Sequence, residues 1–280
     1  MILGAHESIA GGIYNSIKRG FDDGAESLQI FVKSSNRWFD KPLKESDVEK
    51  YFTSLTKYGF LNTNVCAHSS YLINMASEGE TYEKSYSSMR DELTRCDMLK
   101  IPYYVIHPGS HLGAGVEEGL KKVIKFVDKL YEENGFKVMT LFETTAGQGT
   151  NLGSRLEEIE YLIENSRFSE KLGICLDSCH LYSAGYDILN NYDSVFDDVL
   201  KRFGDKVKVF HINDTKKALG SRVDRHDLIG KGLLGLEFFK KLVNDRRFDS
   251  ILGILETPVS DVHTYKNELE ILKNLINNGG

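Results

Sequence analysis

Eight short apolar, β-rich runs recur along the chain, at 2–6, 27–32, 64–68, 103–107, 138–143, 173–177, 207–211 and 251–256. Between them lie longer stretches with helical spacing, at 11–23, 46–58, 81–99, 116–133, 154–166, 192–203, 236–244 and 264–276. In 46–58, Ser46 and Glu49 have the spacing of a capping box, Val48, Phe52, Leu55 and Tyr58 form a stripe, and Gly59 sits at the stop. In 116–133, Leu120, Val123, Ile124, Val127 and Leu130 share one face, and Gly135 follows. Successive strand ends are 26, 36, 39, 36, 34, 34 and 45 residues apart. That alternation predicts an α/β fold, a single (β/α)8 TIM barrel occupying residues 1–280 as one domain. A doubly wound open sheet has the same local signature, because strand count alone does not establish closure.

Composition narrows the class. With 41% hydrophobic and 27% charged residues spread along 280 positions, the chain has the material for one large core and none of the bias of a disordered one. No run approaches the roughly 18 apolar residues of a membrane span. The opening Met1-Ile2-Leu3-Gly4-Ala5-His6 reads as a strand rather than a signal peptide. Cys66, Cys96, Cys175 and Cys179 lack paired spacing and are expected to be thiols of a cytoplasmic protein. No heptad seam or surplus apolar stripe is left over, so a monomer is expected. The net charge of −6 argues against a nucleic-acid partner, unless several carboxylates hold metal instead of facing solvent.

The strand ends suggest that they do. From the third run onward each ends in a potential ligand: His68, His107, Glu143, Asp177, His211 and Glu256. Barrel active sites form at the C-terminal ends of the strands, so these donors would share one mouth and form a metal centre there. Alternation along the strands supports this, since Cys66, Val105, Leu141, Met139, Cys175, Val209 and Ile254 share the ligands' face and suit a barrel interior. Any one such residue is most simply a core histidine or a helix cap; all six strands ending this way is not. His180 follows Asp177 by three residues, and Asp224 and His226 form a D-x-H pair able to share a cation. Mixed imidazole and carboxylate donors suit zinc, or manganese where oxygen dominates, and nine of them are enough for two or three ions. Three divalent ions would cancel the formal −6. His6 is a candidate neighbour of the centre, His111 either contacts phosphate or shapes its loop, and His263 is an ordinary loop or helix-start residue. Cys175 and Cys179 are expected to be core thiols, because C-x3-C without a second pair is a weak metal signal.

Several segments together resemble the endonuclease IV family of metal-dependent apurinic/apyrimidinic endonucleases. They are Asp177-Ser178-Cys179-His180, Gly220-Ser221-Arg222-Val223-Asp224-Arg225-His226, Glu143-Thr144-Thr145-Ala146-Gly147-Gln148-Gly149, Asn151-Leu152-Gly153, His211-Ile212-Asn213-Asp214 and Leu255-Glu256-Thr257-Pro258. With Gly4-Ala5-His6 and Gly11-Gly12 the likeness runs from about 3 to 275. The resemblance implies a trinuclear zinc centre, with manganese admissible at one site. His68 and His107 would hold one ion with Glu143 as a bridging carboxylate; Glu143, Asp177, His211 and Glu256 the second; His180, Asp224 and His226 the third. It implies hydrolysis of the phosphodiester 5′ to an abasic site in duplex DNA, leaving a 3′-hydroxyl and a 5′-deoxyribose phosphate, and trimming of blocked 3′ ends. Glu143 is then the catalytic bridge, with no Ser or Cys nucleophile.

For DNA contact the resemblance points to Tyr71 as the stacking tyrosine. The family's inserted arginine, in a pattern like N-P-R-x-W, has no direct counterpart: the chain reads Ser34-Ser35-Asn36-Arg37-Trp38, with Arg37 as the substitute. The 214–231 loop, with Lys216, Lys217, Arg222, Arg225 and Lys231, is locally basic once Asp224 is neutralised, and Arg222 and Arg225 are candidate phosphate contacts. Two other readings compete. A metal-dependent sugar isomerase on the same scaffold would have no need of His180, Asp224 and His226 as a third set. A damage-binding protein without catalysis would not need all nine donors.

Overall fold

In the computed structural model, which describes residues 1–276, eight parallel strands close into a barrel. In chain order they are β1 (Ile2–Glu7), β2 (Ser27–Phe31), β3 (Val65–His68), β4 (Tyr103–Ile106), β5 (Met139–Glu143), β6 (Leu172–Asp177), β7 (Val207–His211) and, after a two-strand ribbon, β10 (Leu252–Leu255). The ribbon is β8 (Asp214–Thr215) against β9 (His226–Asp227). β1 pairs with β10 from Ile2–Leu252 to Ala5–Leu255 and with β2 from Gly4–Ser27 to Glu7–Ile30. Those pairings complete the ring and exclude the open sheet.

Helices fall where the spacing predicted: α1 (Asn15–Asp23), α2 (Glu45–Tyr58), α3 (Gly79–Leu99), α4 (Val116–Asn134), α5 (Leu156–Glu164), α7 (Tyr192–Phe203), α8 (Gly235–Val243) and α9 (Tyr265–Leu275). An additional short helix, α6 (Ser178–Ala184), starts directly after β6. The helix stops at Gly59 and Gly135 are left-handed, with φ of 72° and 64°. The expected Ser46–Glu49 capping box is absent. α2 begins one residue earlier, Lys44 is its N-cap without a side-chain bond, and Glu45 and Asp47 supply negative charge to the first turn. A capping box occurs instead at α9, between Thr264 and Asn267. The α2 stripe is also rotated: Tyr51 and Leu55 are its fully buried members, while Val48, Phe52 and Tyr58 pack at the margin.

Two cores follow from the two-residue period of the strands. Cys66, Val105, Leu141, Cys175, Val209, Leu252 and Ile254 fill the barrel interior, with Met139 at its edge. The alternate residues, among them Leu28, Ile30, Val65, Ala67, Ile106, Phe142, Ile174 and Phe210, face the helices. All four cysteines are buried and free. Among the described residues no helix is long and apolar enough to cross a membrane.

Closure is tightest where Gly4 lies beside Ser27. A Cβ on Gly4 would sit 1.8 Å from the Ser27 carbonyl oxygen, which is backbone and cannot step aside. Gly4→Ala is therefore expected to cost about 3 kcal/mol or more through overpacking, lowering the melting temperature by at least roughly 6 °C. Gly135→Ala meets no neighbour within 4 Å and should cost only about 1 kcal/mol, for its left-handed backbone. Thermal melts of both variants check this; equal, small effects would contradict the packing.

Candidate metal centre

Glu143, at the end of β5 and 1% exposed, is surrounded by four imidazoles. Its Oε2 lies 3.1 Å from His68 Nε2 and 3.0 Å from His107 Nε2, and its Oε1 lies 3.0 Å from His211 Nδ1 and 3.2 Å from His180 Nδ1. On one side Glu256 Oε2 approaches His211 Nδ1 to 3.3 Å, with Asp177 Oδ2 at 3.9 Å. On the other, Asp224 bridges His180 Nε2 (3.2 Å) and His226 Nε2 (3.3 Å). The fold thus brings together all nine predicted donors. They fall into the groups His68–His107–Glu143, Glu143–Asp177–His211–Glu256 and His180–Asp224–His226, the ligand atoms of each lying within 4.8 Å of one another. A fourth group, Asp177–Cys179–His226, brings in a thiol expected only to fill core.

Four of the five imidazoles are held by their second nitrogen. His68 Nδ1 donates to the Ser69 carbonyl (2.9 Å), His180 Nδ1 to that of Thr144 (2.8 Å) and His226 Nδ1 toward that of Glu256 (3.3 Å). His211 Nε2 donates to Gln29 Oε1 at 2.8 Å. These bonds fix the tautomers and leave the other nitrogen's lone pair aimed at a carboxylate. Motif residues hold the carboxylates in turn. Asp177 caps α6 by accepting from His180 N–H (2.7 Å) and accepts from Asn213 Nδ2 (2.7 Å), while the Glu256 N–H donates to Asn213 Oδ1 (3.0 Å). Thr144 Oγ1 accepts from the Asp177 N–H at 2.9 Å.

A neutral imidazole lone pair about 3 Å from a carboxylate oxygen is repulsive unless a proton or metal cation lies between them. The donor chemistry fits a metal: for bonds of 2.0–2.1 Å a tetrahedral edge is about 3.3 Å, close to the 3.0–3.3 Å separations seen around Glu143 and Asp224. His226 Nε2 is buried without a hydrogen-bond partner, as an ion ligand in a metal-free chain would be. Protons substitute when no metal is present. Burial alone would lower His68, His180 and His211, but their neighbours outweigh it and raise all three: the adjoining carboxylates for His68 and His180, and Cys175 followed by Glu256 and Glu143 for His211. Burial would raise Glu143 and Glu256, yet the imidazoles hold both below the usual carboxylate range and hold Asp224 down at about 2.

Above the centre opens a cavity of ≈ 760 Å³ whose lining includes His6, Phe31, Tyr71, Arg225 and Tyr265. Tyr71 is 68% exposed, its ring edge-on to Phe31 at 5.5 Å. Arg37 is exposed on the loop after β2, beside exposed Asn36. Arg222 has a left-handed φ of 56°, is anchored by its N–H on the Ser183 carbonyl (2.8 Å), and its guanidinium lies against Gly147 of the A-G-Q-G loop. Arg225, which is exposed, donates to the Asp224 carbonyl at 2.7 Å. Asp214 takes no part in the surface charge of this loop: fully buried, it accepts from the amides of Thr215, Gly230, Gly232, Leu234 and Gly235.

Sequence reasoning placed His6 correctly beside the centre, 3.0 Å from Glu256 Oε1. His111 shapes its loop, accepting from the Gly113 and Gly115 amides, and His263 pairs with Glu268 at the start of α9. Gln29 was missed. Its amide touches His211, Glu256 (2.5 Å) and His6 (3.0 Å), and the available signal was a polar residue at an interior position of β2.

A closed barrel with carboxylates and histidines converging at its C-terminal mouth defines the class: residues 19–275 match the xylose isomerase-like TIM barrel family. Solved structures sharing the fold include a D-tagatose 3-epimerase-like protein, with a TM-score of 0.73 at 19% identity over 98% of this chain and 97% of that one. Within the class the resemblance is narrower. Proteins named "Probable endonuclease 4" from Chloroflexus aurantiacus and Trichlorobacter lovleyi are 44% and 43% identical, over 98% and 92% of this chain and 98% and 93% of theirs. The crystal structure of endonuclease IV from Thermus thermophilus superposes with a TM-score of 0.87 at 33% identity, covering 98% of both chains. The chain belongs to the endonuclease IV family.

The titration directions carry a prediction for the chelated protein. Its raised histidines stabilise the fold below their ordinary 6.5, and that stability is lost as pH rises through their folded values. Its depressed carboxylates stabilise above their ordinary 4.5, and that is lost as pH falls. The chelated protein should therefore melt highest between about pH 4.5 and 6.5 and lose stability as the pH rises beyond that window. Added zinc should abolish the alkaline loss with release of protons, since it displaces them from the same nitrogens. Melting curves and calorimetry in two buffers measure both; an alkaline limb that zinc leaves unchanged would refute the assignment.

Proposed function

We propose that the chain is a DNA-repair hydrolase that cuts the phosphodiester 5′ to an abasic site in duplex DNA, leaving a 3′-hydroxyl and a 5′-deoxyribose phosphate, and that it trims blocked 3′ ends. The observation that carries this reading is the third donor set, His180–Asp224–His226, standing against the Glu143-bridged pair of sets. A sugar isomerase, the enzymatic alternative on this scaffold, has no use for it.

His68 and His107 would hold one divalent ion, Asp177, His211 and Glu256 a second, and His180, Asp224 and His226 a third, with Glu143 shared between the first two. Zinc is the expected metal, and the oxygen-rich second site also suits manganese. When bound, such ions supply Lewis acidity for the phosphoryl oxygens and lower the pKa of water toward about 7. The chain's own part is to hold this set rigid. Glu143 contributes one oxygen to each side while the backbone carbonyls of Ser69, Thr144 and Glu256 keep three imidazoles from turning. Arg222 and Arg225, both exposed, would meet phosphates and so make binding fall with salt. Tyr71 and Arg37 stand exposed to fill the gap left by an extruded abasic nucleotide, whose extrusion is cheap because it has no base to unpair.

The test is incision of a labelled duplex carrying one tetrahydrofuran abasic analogue, which cannot undergo β-elimination. Metal-replete protein should cut on the 5′ side and leave an extendable 3′-hydroxyl. Chelated protein should not, and Glu143→Gln should lose more than the roughly 10–100-fold typical of an outer-shell partner. Replete protein that binds the abasic duplex and never cuts it would make this a damage-binding protein; protein that does neither would return the isomerase reading.

A further inference from the structure

Lys33 and Glu92 form an ion pair of 3.1 Å in which both side chains are only 1% exposed. Neither belongs to the metal centre. A buried pair carries a desolvation cost, and removing one partner leaves the other charge buried and uncompensated. Lys33 Nζ donates to the carbonyls of Arg37 (2.8 Å) and Trp38 (3.1 Å) and to Ser88 Oγ (3.0 Å). Glu92, on α3, accepts from Ser70 Oγ (2.7 Å), the Ser70 N–H (3.1 Å) and Tyr104 OH (2.6 Å). The cation is thus bonded to the loop that carries Arg37, and the anion to the loop that carries Tyr71. A backbone bond from the Tyr71 N–H to the Ser35 carbonyl (3.1 Å) joins the two loops directly. Two apolar side chains of the same volume could fill the space but could not satisfy these acceptors and donors.

We propose that the Lys33–Glu92 pair is a positioning device that locks loops 34–38 and 69–72 to one another, so that Arg37 and Tyr71 meet duplex DNA as one pre-set wedge. This rests on the endonuclease reading for what the wedge meets, but the mechanical link stands on the hydrogen bonds alone. Pre-setting both loops removes the ordering cost that two independent loops would incur on binding, which matters because the wedge must hold an unstacked duplex open while the phosphodiester sits over the centre.

Trp38 is the chain's single tryptophan and its carbonyl is one of the tethered groups, so its fluorescence reports the first loop. Ser70→Ala, on the other loop, leaves the ion pair intact and is the variant least exposed to misfolding; Glu92→Gln and Lys33→Met break the pair itself. In the metal-loaded protein, acrylamide quenching of Trp38 should rise in all three, including Ser70→Ala. KM for the tetrahydrofuran duplex should rise about tenfold or more, with kcat, bound zinc and hydrolysis of bis(p-nitrophenyl) phosphate within about twofold of wild type. Lys33→Arg should recover part of the KM. Unchanged Trp38 quenching in Ser70→Ala would overturn the link between the loops. A loss of kcat, zinc and small-substrate hydrolysis in step with KM would overturn the positioning role. A wild type that cuts no abasic duplex, with Trp38 released in Ser70→Ala, would sink the endonuclease reading and leave the link standing.

Discussion

A carboxylate cannot be buried alone in a barrel, and Glu143 is buried to 1%. In a low-dielectric interior an isolated anion costs several kcal/mol or more, so its surroundings must supply positive charge as protons or metal, and four imidazole nitrogens able to hold either lie within 3.0–3.2 Å. Those imidazoles come from β3, the end of β4, α6 and β7, and each can reach Glu143 only if its element ends at the height of β5. The site therefore constrains the scaffold as much as the scaffold positions the site: the strands must run parallel, keep one register and close, since an open sheet would leave the donors on a line.

The barrel meets that demand with fixed backbone. The interior beneath the centre is a plug of buried Val, Leu, Ile and Cys side chains, and close-packed interiors resist the relaxation of a side chain held above them. Three of the five ring histidines are aligned by main-chain carbonyls rather than by other side chains. A carbonyl cannot change rotamer, so tautomer and ring plane are set once the strand ends are set. Gln29 is the side-chain exception, and its amide serves both His211 and Glu256 from an interior wall, β2, that brings no ligand of its own.

The strand–helix alternation and the six strand-end donors were legible because both obey a period, whereas His180, Asp224 and His226 stood out only by donor chemistry and local spacing. Strand alternation put Cys66, Val105 and Cys175 on the same face as the ligands, and the interior plug contains all three. What escaped has no period. α6 is seven residues long and starts directly after the last residue of a strand, so its Ser178-Cys179-His180 reads as loop. The ribbon at 214–215 and 226–227 is stabilised by Asp214 accepting five amides, a pattern invisible until the chain folds back. The Ser46–Glu49 box failed because helix propensity and the acidic pair Glu45 and Asp47 extend α2 by a residue, and a capping residue moved inside a helix no longer caps it. The Lys33–Glu92 pair was unreadable in principle, since its partners are far apart in sequence and nothing local marks either as buried.

On the endonuclease reading, the same geometry lets an acidic chain serve an anionic partner. Of the carboxylates behind the net charge of −6, Glu143, Asp177, Asp224 and Glu256 are gathered at a single mouth. Without metal those four carboxylates are offset only by protons on the raised histidines beside them, which are lost as the pH rises. With divalent ions held among them the mouth would turn positive whatever the pH, while the rest of the surface would be unchanged and Asp214 would stay withdrawn in its amide ring. On the reading proposed above, loading the centre and admitting the substrate are then linked: the residues that would hold the activating ions also set the charge that the phosphodiester meets. On that reading the exposed Arg222 and Arg225 would set the direction of approach, and the charge at the centre whether approach is favourable.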